Sequence, residues 1–132
     1  MLKIKNHETI TEKIKAMRQI KFRVWDSKEK TWIWNLGMKK NNVLCDGTES
    51  GRFEIMQFTG LYDKNGKEIY EYDIIQATVT NENRTGIYLV EYDAPAWWAD
   101  SQKLDLDVHY IDGIEIKDYK VIGNKFDNPE LL

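Results

Sequence analysis

The sequence predicts one mainly β domain, built as a small barrel or a tight sandwich. Short segments in which apolar and polar residues alternate are separated by turn-forming residues along most of the chain, a spacing typical of barrels and sandwiches. Aromatic residues make up 12% of the 132 residues, with five tryptophans and seven tyrosines, and they favour strands over helical bundles. A hydrophobic fraction of 42% is enough for one core.

Helix is expected only at the ends of the chain. Near the N-terminus, Thr9 and Glu12 form a capping-box pattern, and Ile10, Ile14 and Met17 follow at helical spacing. These residues predict a short helix over 9–17. Near the C-terminus, "DNPELL" predicts one short turn of helix.

The first strand begins where the spacing changes from helical to alternating. In the segment from Ile20 to Trp25, apolar residues at even positions alternate with Lys21, Arg23 and Trp25. A regular strand therefore places Trp25 on the outward face beside two cations. "TWIWNL" predicts the second strand of this hairpin.

The stretch "YDKNGKEIYEYDII" predicts a hairpin turn and the entry to a buried strand. Asn65-Gly66 indicates a type I′ turn, which requires positive φ at both residues. Asp73 is predicted to fix the loop before the next strand by accepting backbone amide hydrogens. The favoured interpretation of this stretch is therefore structural, and an aromatic rim that binds peptides is the alternative.

Six aromatic residues are candidates for contact with a partner. Trp97 and Trp98 follow Pro95 in a predicted irregular loop, and adjacent residues of an extended segment point in opposite directions. One of the two is therefore expected to face outward. The complete set of candidates is Trp25, Tyr62, Tyr70, Tyr72, Trp97 and Trp98.

The segment "LDLDVHY" supplies the one candidate metal site. Asp105, Asp107 and His109 alternate along a predicted strand, and two carboxylates with an imidazole can ligate a divalent ion. The favoured alternative is a solvated face, because the intervening residues Leu104, Leu106, Val108 and Tyr110 would then form the buried face.

Charge is divided unevenly along the chain. Residues 1–66 hold 13 basic and 8 acidic residues, a net of +5, and residues 67–132 hold 6 and 14, a net of −8. Pairing of opposite charges within one sheet explains this most simply, and self-association into a homo-oligomer is the alternative. Nucleic acid is disfavoured by a pI near 5.4, although the candidate cations for such binding all lie in the first third of the chain: Lys13, Lys15, Arg18, Lys21, Arg23, Lys39 and Lys40.

Several function classes lack support. Cys45 is the single cysteine, so neither an intrachain disulfide nor a cysteine-based zinc site is expected. No phosphate-binding loop or nucleophile motif occurs, and we expect no cofactor and no enzymatic activity. Neither a membrane span nor a signal peptide is recognisable, which predicts a cytoplasmic protein.

Three blocks of sequence carry a family resemblance. "MRQIKFRVWDSKEKTWIW", "MQFTGLYDKNGKEIYEYDII" and "VIGNKFDNPELL" resemble the YopX-like family of small phage and prophage proteins. The resemblance implies a compact SH3-like β-barrel with extra strands over 17–132, preceded by an extension over 1–16. Family members usually have glycine at the position of Tyr72, which suggests that Tyr72 avoids positive φ or that the turn is built differently.

The resemblance implies no catalytic residues, because the family has no established activity. We therefore expect a non-enzymatic module that binds a protein, with a host protein as one candidate. An accessory protein associated with nucleic acid is the alternative, and a metal-dependent hydrolase is a weaker one.

Overall fold

The computed structural model describes residues 19–33, 51–104, 106–111 and 113–132. The predicted helix over 9–17, Cys45 and the candidate ligand Asp105 lie outside these residues. The strands are β1 (Phe22–Asp26), β2 (Thr31–Ile33), β3 (Phe53–Tyr62), β4 (Glu68–Tyr70), β5 (Asp73–Val79), β6 (Arg84–Asp93), β7 (Ala96–Asp100), β8 (Val108–Tyr110) and β9 (Ile116–Asn124). A turn of 3-10 helix, Pro129–Leu131, follows. The prediction of a mainly β domain is confirmed.

The strands form two antiparallel sheets. One has the order β2-β1-β3-β4, and the other has the order β8-β7-β6-β5-β9. The core lies on the inner face of the larger sheet and takes Ile69 from β4 of the smaller one. Its members are Ile69, Ile75, Ala77, Val79, Tyr88, Val90, Ala99, Ile111 and Ile116.

The predicted outward position of Trp25 is wrong. Its side chain is only 6% exposed, with its ring 5.0 Å from that of Trp32 and stacked at 5.4 Å on Phe126. Arg23, two residues earlier on the same face, is also buried, against Asp73, Trp32 and Tyr70. Ile20, on the face predicted to be inward, is exposed instead.

The turn at Asn65-Gly66 has a different geometry from the predicted type I′. Gly66 has φ +82°, but Asn65 is not at positive φ. The amide of Gly66 donates to the carbonyl of Asp63 (3.0 Å), and the amide of Asp63 donates to the carbonyl of Lys67 (2.8 Å). This is a three-residue loop that ends in a left-handed glycine. It forms because one oxygen of Asp63 accepts the amides of Asn65 and Lys67 (2.9 Å each).

Asp63 also joins this hairpin to the other sheet. Its second oxygen accepts the amide of Val121 on β9 (3.0 Å), and the amide of Lys64 donates to the carbonyl of Tyr119 (2.8 Å). Burial raises the pKa of Asp63, but the amide hydrogen bonds outweigh it and the pKa lies below its ordinary value. The hairpin tip is therefore a structural joint that covers the outer edge of β9.

Tyr72 does adopt positive φ, at +66°, so the suggestion that it avoids this conformation is wrong. Its amide donates to the carbonyl of Val90 (2.7 Å), and its carbonyl accepts the amide of Lys125 (2.9 Å). The Lys125 ammonium lies 4.5 Å from the centre of the Tyr72 ring, and Phe126 meets the ring edge to face. These contacts hold a bulky residue in a conformation that is unfavourable for it.

We expect Tyr72→Gly to be more stable than Tyr72→Ala by about 1 kcal/mol, since both lose the ring contacts and only glycine relieves the left-handed backbone. Urea unfolding of the two variants measures the difference. An alanine variant at least as stable as the glycine variant would contradict the left-handed assignment.

Candidate protein-interaction surface

Asp107, just before β8, is the centre of a hydrogen-bonding network on the inner side of that strand. Its carboxylate accepts two bonds from the Arg84 guanidinium (2.9 and 3.3 Å) and one from the Tyr88 hydroxyl (3.2 Å), and lies 2.7 Å from Nε2 of His109. Burial raises the pKa of Asp107, but Arg84, His109 and Tyr88 together hold it below its ordinary value. The network fixes β8 against β6.

Gly86 makes room for this network. A Cβ atom on Gly86 would lie 2.5 Å from the hydroxyl oxygen of Tyr88 and 2.7 Å from two of its ring carbons. Any side chain at this position would therefore push the tyrosine away from Asp107. Tyr88 itself is fully buried.

The alternation of β8 faces the opposite way to the prediction. Asp107 is buried and His109 contacts the buried Tyr88 edge to face, so these two polar residues lie on the inner side, together with the core residue Ile111. The apolar residues predicted to be inward are the exposed ones: Leu104 (58%), Leu106 (96%), Val108 (37%) and Tyr110 (43%). We call these four residues the apolar stripe. The interpretation of Asp107 and His109 as a solvated face is wrong, because Arg84 supplies a cation on the inner side.

Two of the three candidate metal ligands therefore lie together, but they face an arginine. The Asp107 carboxylate is engaged by Arg84, and Nδ1 of His109 lies 3.5 Å from a Glu115 oxygen. Over the described part of the chain, no group of three His, Cys, Asp or Glu side chains is arranged to hold a metal ion.

Trp98 extends the apolar stripe across β7. Its ring stacks on Tyr110 with centroids 4.1 Å apart, and its indole nitrogen donates to the carbonyl of Asp93 (3.0 Å). Trp97 lies on the opposite face, where it packs against the core and lies 5.0 Å from Tyr92. Both residues belong to β7, so the predicted irregular loop is wrong at this point.

A small acidic cavity lies beside the stripe. Its volume is about 220 Å³, and its lining residues are Glu91, Asp93, Trp98, Asp100 and Val108. Burial raises the pKa of Glu91, as do the nearby carboxylates of Asp100 and Asp93, while Lys125 opposes them. This surface therefore combines an apolar row, a fixed aromatic ring and concentrated negative charge.

Leu106 combines exposure with backbone strain, since its φ is +66°. We expect Leu106→Asn to raise the free energy of unfolding by about 0.5 kcal/mol, because asparagine tolerates the left-handed region and the leucine buries almost nothing. Leu104→Asn is the matched control, since Leu104 is exposed without positive φ, and it should give no gain. Thermal unfolding of both variants checks this, and equal effects would contradict a strained Leu106.

The tyrosine candidates occupy other places. Tyr62 and Tyr70 both contact Phe58, each with its ring centre 5.5 Å from that of Phe58, and Tyr72 contacts Phe126. Tyr70 also covers the Arg23 guanidinium at 4.9 Å. None of these ring contacts involves a residue of the apolar stripe.

Arg23 and Asp73 form a buried ion pair at this joint (2.8 Å). As predicted, Asp73 accepts a backbone amide, that of Tyr70 (2.7 Å). Arg23 also donates to the carbonyl of Glu71 (3.1 Å). The central carbon of its guanidinium lies 4.8 Å from the centre of the Trp32 ring, where it makes a cation–π contact. Local sequence patterns contain no signal for this pair, because its members are 50 residues apart.

Of the seven cations considered for nucleic acid, Lys21 and Arg23 are described. Lys21 pairs with Glu68 (3.1 Å), and Arg23 is buried against Asp73. Arg52 and Arg84 likewise pair with Asp26 and Asp107. These side chains are engaged within the fold.

We expect stability to fall as the pH drops below about 4. Hydrogen bonds from Arg52 hold the pKa of Asp26 far below its ordinary value, and the pKa values of Asp63 and Asp107 are also lowered. A carboxyl whose pKa is lower in the folded protein than in the unfolded chain stabilises the fold at pH values above its pKa in the unfolded chain. This contribution is lost as the pH falls through its pKa in the folded protein. Asp73 acts in the opposite direction. Because burial raises its pKa in the folded protein, protonation of this carboxyl favours the folded state as the pH falls.

Thermal unfolding at pH 7, 5, 4 and 3 tests this expectation. Asp63→Asn should show a smaller loss between pH 5 and 3 than the unmodified protein, because one lowered carboxyl no longer titrates. If that variant lost as much stability between pH 5 and 3 as the unmodified protein, the role assigned to Asp63 would be contradicted.

The sequence from residue 21 to residue 132 matches the family model described as YopX protein. The chain belongs to the YopX family. Two solved structures resemble it: protein EF1440 from Enterococcus faecalis, at 26% identity and TM-score 0.57, and protein yopX from Bacillus subtilis, at 23% identity and TM-score 0.56. Each covers 88% of this chain and is itself covered over 99% of its length. No curated protein matches the chain.

The blocks that carry the YopX resemblance converge on the joint between the sheets. Arg23 and Trp25 come from the first block, Asp73 from the second and Phe126 from the third, and they lie in contact through the pairs given above. The apolar stripe lies outside all three blocks, so the resemblance gives no account of it. Within the described residues, no helix is long and apolar enough to cross a membrane.

Proposed function

We propose that this YopX protein is a phage-derived, non-enzymatic binding module of SH3-like type whose protein partner docks on the apolar stripe. The observation that carries the proposal is the inverted alternation of β8 and the residues just before it: Asp107 is buried, His109 lies inward against Tyr88, and four apolar residues are exposed. Single exposed apolar residues are ordinary, but a row of them beside polar residues is typical of an interaction surface.

The apolar stripe is also supported by rigid contacts on β8 and β7. The Asp107 network fixes β8 from inside, and Trp98 is locked by its stacking on Tyr110 and its bond to Asp93. A rigid surface loses little conformational entropy on association. Leu106 is almost fully exposed and adopts positive φ, a backbone conformation that is unfavourable for leucine. Locally unfavourable residues of this kind are expected at functional positions.

The alternatives receive less support from the same residues. Nucleic acid needs available cations along a groove, whereas the surface beside the stripe carries Glu91, Asp93 and Asp100. A metal-dependent reaction would require Asp107 to release Arg84. Self-association stays a prediction, now without Trp25 as an exposed anchor.

Affinity capture from a bacterial host lysate, quantified by mass spectrometry, tests the proposal. Leu106→Asp should remove the specific partner, and it should still fold because aspartate tolerates positive φ. Ile20→Asp is the matched control, since Ile20 is also an exposed apolar residue but lies next to the other sheet. Equal capture by the two variants would contradict the assignment, and light scattering at low and high salt reports any self-association.

A further inference from the structure

We propose that the partner binds by strand addition: an extended segment that alternates lysine or arginine with apolar residues pairs antiparallel with the open edge of β8. This inference rests on the proposed function and adds the binding mode and the chemistry of the partner.

Two hydrogen bonds to β7 and its flanking residue show which backbone groups of the β8 segment point toward β7 and which point away from it. The amide of Ser101 donates to the carbonyl of Asp107 (3.0 Å), and the amide of Ile111 donates to the carbonyl of Trp97 (3.3 Å). Backbone groups of alternate residues in an antiparallel strand point to opposite edges. Val108 and Tyr110 therefore direct their N–H and C=O groups away from β7. In the sheet order, β8 is terminal, and no strand of the described chain pairs with this edge.

The opposite edge of the same sheet is treated differently. There, Lys64 and Asp63 bond to the backbone of Tyr119 and Val121 on β9. Proteins generally cover or charge a sheet edge, because an open one recruits further strands. Among the described residues, the fold thus covers one edge of the sheet and leaves apolar Val108 and Tyr110 uncovered at the other.

The side chains next to this edge select the incoming strand by charge. A residue opposite Val108 or Tyr110 places its side chain on the same outer face, next to the cavity lined by Glu91, Asp93 and Asp100. At about 220 Å³ the cavity is smaller than the roughly 300 Å³ at which drug-sized pockets begin, and it suits one long side chain. Its three carboxylates, which Lys125 near Glu91 offsets only in part, favour a cation.

The same charges argue against a second copy of this chain as the added strand. Pairing β8 with β8 of another molecule about a two-fold axis would place two such acidic surfaces side by side. Like charges across an interface disfavour association.

Blocked hexapeptides that alternate lysine and valine serve as the probe, with binding followed through the NMR amide shifts of the full-length protein. We expect the lysine peptide to bind and to shift Val108 and Tyr110, and the glutamate–valine peptide to bind at least about tenfold more weakly. Antiparallel pairing with lysines on the outer face directs the lysine amides toward β8. N-methylation of the lysine amides should therefore weaken binding about tenfold, whereas N-methylation of the valine amides should not.

Equal effects of the two N-methylations, equal binding of the glutamate peptide, or no peptide binding would each overturn strand addition. The lysate experiment separates this failure from that of the proposed function. If Leu106→Asp still abolishes capture, the interaction surface stands without strand addition. If capture is independent of Leu106, the proposed function falls whatever the peptides do.

Discussion

Asp73→Asn is expected to lower the free energy of unfolding by about 3 kcal/mol and the melting temperature by about 10 °C. Asparagine keeps an oxygen that can accept the Tyr70 amide, so the change mainly removes the partner of Arg23. That guanidinium is then left with an uncompensated charge between Trp32 and Tyr70. Its Nε–H is already buried with no acceptor among the described residues.

Removing both charges should cost less than removing one. Burial raises the pKa of Asp73 even though Arg23 and the Tyr70 amide oppose it, so the ion pair does not fully offset the cost of dehydrating its carboxylate. We therefore expect Arg23→Met combined with Asp73→Asn to be more stable than Asp73→Asn alone.

Denaturant unfolding of the unmodified protein, the two single variants and the double variant measures the coupling. Additive effects would show that the two charges do not stabilise each other across the joint. If Asp73→Asn unfolded at the same denaturant concentration as the unmodified protein, this account of the ion pair would be contradicted.

Asp107→Ala is expected to lower the free energy of unfolding by about 2 kcal/mol and to abolish partner capture. The Tyr88 hydroxyl is left buried without its acceptor, and His109 loses its closest partner. Arg84 is partly exposed and recovers hydration, so its share of the cost is small. Because the same network fixes β8, the apolar stripe loses its support.

Thermal unfolding and lysate capture, measured on the same preparation, check this result. Asp107→Asn serves as the comparison, because it keeps an acceptor for Tyr88 and loses only the charge, and it should lie between alanine and the unmodified protein. Unchanged capture by a destabilised Asp107→Ala would mean that the network supports the fold without supporting the stripe.

The sequence by itself determined the class of fold and several of its strands. Alternation and turn residues located β1, β2, β5 and β8, since these signals act over a few neighbouring residues. Gly66 was recognised as a turn residue for the same reason, although the turn type was decided by the side chain of Asp63. The strand containing Trp97 and Trp98 was missed, because Pro95 and the adjacent tryptophans suggested a loop.

The tertiary structure alone decided which face of each strand is covered. Alternation separates two faces, but it does not say which of them another segment will pack on. Phe126 buries Trp25 from about 100 residues away, and Arg84 draws Asp107 inward from the start of β6. Both depend on long-range contacts, and the inversion of β8 that exposes Leu106, Val108 and Tyr110 follows from the second of them.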